Sequence, residues 1–165
     1  MRRLVLAACF ALIAGSAFAQ SGTSTWQMNM AQSTITASKS PIKEVAGVME
    51  WNPLKPEQST LAFSIDTTSI AADDLKTVLD AAHDPELRIV TTGPGKISGG
   101  NIALPAELTI GQITKAVTLT VSYKPNLPRQ IAFHGEVTIR HNDFKLKGSD
   151  IPLVIDGPFE RVLPG

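Results

Sequence analysis

Cysteine is almost absent from this chain. Its single example, Cys9, lies within the first ten of 165 residues. If that segment is removed on export, neither a disulfide nor a thiolate nucleophile is left, and the fold must stand on its core alone. Aromatic residues make up only 5%, so platforms for stacking bases are scarce. Lys and Arg number 15 and Asp and Glu 15, which gives no basic surplus for a phosphate backbone. Nucleic acid is therefore not an expected partner.

The usual catalytic signatures are missing too. No Ser stands in a G-x-S-x-G elbow. His83, His134 and His141 are too dispersed for H-E-x-x-H or any other tight metal-ligand spacing. Gly93-Pro94-Gly95 and Gly99-Gly100 do not open a helix after a strand, so they read as turns and not as phosphate cradles. Asp73 and Asp74 could be imagined as acid and base, but neighbours on a helix diverge by roughly 100 degrees, and the helix dipole already accounts for them. Lys39, Arg140, Lys145 and Lys147 are expected on a solvated surface. The sequence implies no catalytic residue, no metal and no cofactor, and points away from an enzyme.

What is present begins with the first 19 residues. Arg2 and Arg3 precede an apolar run from Leu4 to Ala14, and Ala17-Phe18-Ala19 supplies the small residues of a cleavage site. The run is short of the roughly 20 residues that a membrane-spanning helix needs. Cys9 follows a lipoprotein-like Leu6-Ala7-Ala8, but it stands too near Arg3 for an apolar region of roughly seven residues. Residues 1–19 are therefore expected to be a signal peptide. Cleavage would leave a periplasmic chain that starts at Gln20, with residues 20–25 a flexible tail and residues 26–165 one domain. Losing Arg2 and Arg3 would take the net charge from zero to about minus two.

Beyond Trp26 the dominant period is two, the signature of half-buried strands. Leu61, Phe63 and Ile65 alternate with Ala62, Ser64 and Asp66. Ile102, Leu104, Ala106, Leu108 and Ile110 keep one parity across Pro105, which should mark a bulge or an edge. Val117, Leu119, Val121 and Tyr123 alternate with Thr118, Thr120 and Ser122, and Ile131, Phe133, Gly135, Val137 and Ile139 form another such face. One segment departs from this pattern. Between Ser69 and Ala82, Leu75, Val78 and Leu79 have helical spacing behind Asp73 and Asp74, which predicts one short amphipathic α-helix.

About eight strands with one helix and no internal repeat predict an all-β protein, a single antiparallel lipocalin-like barrel whose closure removes the sheet edges. Eight strands enclose just enough space either to be filled by side chains or to hold one small ligand, and the periodicity alone leaves both open.

The words along the strands carry more. Leu108–Tyr123 resembles the L-T-I-x-G-V-T-K-x-V-x-L signature of the YceI-like family, and Val137–Phe144 resembles its T-I-x-R-x-D-F word. Leu61–Ile70 is similar to the family's hydrophobic-x-I-D-x-x-S-I strand end, and Trp26 through Ile35 to its opening W-x6-S-x-I. The chain departs from the pattern where Gly111 comes one residue early and where Leu79–Pro85 replaces an aromatic-rich stretch. The resemblance implies a secreted lipocalin-like barrel that holds a polyisoprenoid, the tail of an isoprenoid quinone, or another long-chain lipid. The lining then expected is Ile35, Phe63, Ile65, Leu108, Ile110, Val117, Leu119, Phe133 and Val137. Two alternatives stay open: a filled barrel that docks to another envelope component, and a hydrolase with a site assembled from distant residues. The sequence leaves the oligomeric state open, a homodimer included, and it admits transient contact with the inner membrane or an envelope protein.

Overall fold

The computed structural model describes residues 24–80, 83–127 and 129–163. The expected signal peptide lies outside these residues. In chain order the elements are β1 (Ser24–Met28), β2 (Thr34–Ala37), β3 (Ser40–Pro41), β4 (Val45–Trp51), β5 (Thr60–Asp66), α1 (Asp73–Val78), β6 (Glu86–Thr91), β7 (Lys96–Ser98), β8 (Asn101–Ile110), β9 (Ile113–Leu127), β10 (Gln130–Ile139) and β11 (Ile151–Arg161). Ser24 and Thr25 are the first residues of β1, because they pair with Trp51 and Glu50 of β4. That corrects the expected tail at its last two positions.

Every pairing is antiparallel, and eight strands close in the order β1-β4-β5-β6-β8-β9-β10-β11. Closure depends on β1, which pairs on one side with β4 and on the other with β11. β11 is long enough to take two partners in succession, β1 beside its C-terminal half and β2 beside Leu153–Asp156. A one-turn 3-10 helix, Met30–Gln32, separates β1 from β2, and the Asn29 side chain caps it by accepting from Ala31 N at 3.0 Å. β3 pairs with the end of β2, and β7 pairs with the first residues of β8.

Alternation in the sequence becomes alternation across the barrel wall. The inward positions of β10, Ile131 to Ile139 by twos, are buried, as are those of β8 from Ile102 to Ile110. Pro105 stands where β8 passes the end of β6. In an antiparallel ladder a residue's nitrogen and carbonyl face the same neighbour, and the Pro105 carbonyl accepts from Thr92 N just beyond β6. The missing donor therefore faces Thr92 and not β9, and the register with β9 continues unbroken through Pro105↔Thr118. Pro105 marks an edge and not a bulge.

The helix is shorter than the 3.6-residue pattern predicts. Ile70 is tied down by its bridge to Ile42, and Thr67–Ser69 forms a 3-10 turn capped by Asp66, so α1 starts only at Asp73. Leu79 ends it with its side chain buried.

The barrel thus has two ends. One carries α1, the Gly111-Gln112 turn and the long connection from Arg140 to Asp150; it is called here the helix end. The other carries the start of β1, the loop 52–59, the β7 hairpin and the last residues after β11; it is the terminal end.

Candidate functional site

The inward wall presents a single chemistry along most of its strands. Every inward residue of β4, β5, β8 and β10 is apolar or glycine, from Val45, Gly47, Met49 and Trp51 on β4 to Val137 and Ile139 on β10. Thr91 shares this face. Its hydroxyl accepts from Leu61 N at 3.0 Å, so it adds no unsatisfied polarity. Such a wall offers contact and exclusion of water, and nothing for proton transfer.

Eight of the nine expected lining residues are buried inward positions: Ile35, Phe63, Ile65, Leu108, Ile110, Leu119, Phe133 and Val137. Val117 shares their parity, opposite Ala106, but is only half-buried. The reason is a parting of the wall. β10 pairs with β9 only as far as Glu136↔Thr120, while Val137–Ile139 pair with β11 alone. From Ile113 to Leu119, β9 has β8 as its only ladder partner. Water therefore reaches Ile113 and Val117 at the helix end, and Lys115 on the same parity is exposed.

Sequence reasoning places residues on a face but does not say whether opposite faces touch. Here they do. β4 and β9 are four strands apart in either direction around the ring, yet the rings of Trp51 and Tyr123 meet with centroids 4.7 Å apart and planes at 64°. β5 and β10 are likewise opposite, and Phe63 reaches Phe133 at 5.7 Å. Phe159 of β11 completes the group, 5.2 Å from Phe133 and 6.2 Å from Phe63. Glycine makes room for two of these rings. A Cβ on Gly47 would stand 2.8 Å from Phe63 Cε1, and one on Gly135 would stand 2.8 Å from Phe133 Cζ. The terminal half of the interior is thus crossed by two aromatic bridges. Trp51, Tyr123 and Phe159 are the members of this aromatic group that the expected lining omitted, although Tyr123 stood on the parity read for its strand.

Tyr123 is the polar exception. Its hydroxyl is buried and, among the described residues, is the only buried side-chain nitrogen or oxygen without a hydrogen-bond partner. Burial pushes the phenol well above its ordinary range, so it stays protonated and remains a donor.

The histidines do not assemble a site. His83 Nδ1 lies 2.7 Å from Asp80 Oδ1 beyond α1, a contact that raises its pKa. His134 faces outward, half-buried between Glu136 at 3.5 Å and Asp156 at 3.9 Å. His141 binds Asp150 with both its backbone N, at 3.1 Å, and its ring, at 2.6 Å. Among the described residues no group of three or more His, Cys, Asp or Glu side chains could hold a metal ion. No described helix is long and apolar enough to cross a membrane.

Comparison with known proteins agrees with this geometry. A family model described as "YceI-like domain" matches residues 20–158. Two curated relatives of the UPF0312 group are similar over 119 residues. The one from Pseudomonas fluorescens (strain SBW25) is 25% identical and the one from Pseudomonas putida (strain W619) 24%, each match covering 64% of this chain. The match spans only 62% of those relatives' own length. Among solved structures, Burkholderia cenocepacia BcnA superimposes with a TM-score of 0.69 at 18% identity, over 79% of this chain and 98% of that one. The Campylobacter jejuni YCEI protein gives 0.66 at 18% identity, over 76% and 86%. A polyisoprenoid binding domain from Saccharophagus degradans, implicated in plant cell wall breakdown, gives 0.59 at 10% identity, over 85% and 99%.

Proposed function

The chain belongs to the family of YceI-like domains, and from that premise we propose that it is a periplasmic lipid-binding protein that carries or stores a long apolar chain inside its barrel. The ligand class is a polyisoprenoid or the tail of an isoprenoid quinone. The observation that carries this reading is the inward wall: a closed eight-stranded ring whose inner face on β4, β5, β8 and β10 has no charged or unsatisfied polar side chain. The similar fold of a polyisoprenoid binding domain adds to it. Each methylene taken out of water contributes roughly 0.8 kcal/mol, so several isoprene units bind firmly by burial alone, less the cost of ordering them. Protonated Tyr123 supplies one donor on this wall, suited to an oxygen at or near the end of such a chain. No step of this function requires catalysis. Residues 1–19, which carry the expected export signal, support the periplasmic location.

The test is uptake by delipidated protein. A bound polyprenyl lipid raises thermal stability by RT ln(1 + [L]/Kd). Ala106→Trp and Val117→Trp weaken that gain by occupying space on the inward wall, whereas alanine at His83, His134 or His141 leaves it unchanged. The aromatic bridges favour one competing reading, a filled barrel that acts as an envelope interaction module. Absence of uptake at micromolar lipid selects that reading, and uptake that vanishes with a single histidine points instead to a polar or catalytic site.

A further inference from the structure

Four large apolar side chains are exposed among the described residues: Leu54 at 87%, Ile97 at 60%, Val162 at 46% and Leu163 at 55%. They come from three separate parts of the sequence, yet backbone contacts join their segments into one rim. Val162 N donates to Thr25 O at 2.9 Å, Thr25 pairs with Glu50, and β4 then ends at Trp51, three residues before Leu54. From the same loop Glu57 O accepts Gly95 N at 2.8 Å, two residues before Ile97. In the other direction Arg161 N donates to Arg129 O at 3.2 Å, which ties in the β9–β10 turn. All four therefore stand around the terminal end, and the helix end has none.

The same rim is basic. Lys55, Lys96 and Arg161 are immediate neighbours of Leu54, Ile97 and Val162, and Lys124 and Arg129 stand at the adjoining turn; all five are exposed. Among the described residues none of the five is within ion-pair distance of a carboxylate. Three carboxylates share the rim, and two of them are engaged, Glu50 by Thr25 and Glu160 by Asn29. Counted over the described side chains, five cations against three carboxylates give this end plus two, while the rest, with eight cations and twelve carboxylates, stands at minus four. A charge separation with apolar side chains at its positive pole is the composition of a surface that sits in the headgroup layer of an anionic bilayer. Apolar side chains enter the interface, and each neighbouring Lys or Arg gains about fivefold in partition from the surface potential.

We propose that the terminal rim is a membrane-docking surface for anionic phospholipid, built from Leu54, Ile97, Val162 and Leu163 with Lys55, Lys96 and Arg161. It would stand the barrel axis on the bilayer, with the Trp51–Tyr123 pair just inside the contact. The proposal does not depend on what the barrel holds.

The experiment is co-sedimentation of the chain from Gln20, which contains the whole barrel, with vesicles of phosphatidylcholine alone or with about one-third phosphatidylglycerol. The probe contains no prenyl lipid, so its outcome is independent of the ligand reading. The protein should partition at least tenfold better onto the anionic vesicles, and less well as salt screens the attraction. Leu54→Asp with Ile97→Asp, and separately Lys55→Glu with Lys96→Glu, should each lose at least tenfold. Lys145→Glu with Lys147→Glu at the helix end should change nothing, and circular dichroism confirms that every variant is folded. Equal partition of wild type and rim variants, or loss caused by the helix-end pair instead, overturns the proposal. So does a concentration-dependent dimer, seen by light scattering without vesicles and abolished by Leu54→Asp with Ile97→Asp, if vesicle binding is absent; the rim would then be a contact between copies.

Discussion

Tyr123 combines two properties that normally exclude each other: its hydroxyl is buried and it has no hydrogen-bond partner among the described residues. Leaving a buried donor unsatisfied costs about 1–3 kcal/mol, against a total stability of roughly 5–15 kcal/mol. The ring itself is well placed, edge-on to Trp51 and 5.7 Å from Phe133. Removing the oxygen alone should therefore keep the packing and relieve the cost. Tyr123→Phe is expected to raise the stability of the ligand-free protein by about 1 kcal/mol in a denaturant titration. The same variant should narrow the affinity gap between an oxygen-bearing prenyl lipid and a plain hydrocarbon of equal length. If Tyr123→Phe destabilises the free protein, the hydroxyl already has a partner, such as an ordered water.

At the scale of single strands, most of the architecture was legible, because a one-residue slip would turn every apolar side chain to solvent. Leu119 is fully buried and its neighbour Thr118 exposed, as their parities require. Leu119→Asp is accordingly expected to lose several kcal/mol, enough to unfold the protein or strip its ligand, and Thr118→Asp to shift a thermal melt only slightly. Equal tolerance at both positions would refute the register. What alternation could not reveal lies perpendicular to the strands. Parity places Phe63 and Phe133 inward but says nothing of whether they meet, and the signal for their meeting lies in Gly47 and Gly135, whose missing Cβ atoms admit the rings. The double pairing of β11 with β1 and β2, and the parting of β9 from β10, depend on strand lengths set by distant partners. The half-buried state of Val117 was hidden for that reason.

The connection between β10 and β11 is held by an element of its own. The Asp150 carboxylate accepts from both the backbone and the ring of His141, and these bonds lower its pKa below the ordinary 3.8. A carboxylate whose folded pKa is depressed contributes stability above its unfolded value and loses it as pH falls through the folded one. The latch is therefore intact near neutrality and opens only below about pH 3.8. Because Asp150 is exposed, the effect is local. The protection of amides in residues 140–150, measured against the intrinsic exchange rate at each pH, should fall at pH 3 relative to pH 6, and Asp150→Asn should reproduce much of that loss of protection at pH 6. Protection that is the same at pH 3 and pH 6 would show that the Asp150 carboxylate does not hold the connection.

Closure, burial and surface charge act together only at the level of the whole molecule. On the proposed function, a lipid would enter either where the β9–β10 ladder stops at the helix end or past the Trp51–Tyr123 contact at the terminal end. A lipid drawn from a bilayer that contacts the basic and apolar rim meets Trp51 first, since that residue ends β4 directly below the loop of Leu54. Rings at 4.7 Å leave no room for a chain between them, so entry from this side must separate the pair. The chain has two tryptophans, and a Trp26→Phe background leaves Trp51 as the sole reporter. In that background, prenyl lipids of every length, the shortest included, should change the Trp51 emission in step with the gain in thermal stability. Entry through the parted wall gives a different series: short chains stabilise the protein while Trp51 stays silent, and emission changes only when a chain is long enough to reach the bridge. The length at which Trp51 first responds thus reports the direction from which the barrel is filled.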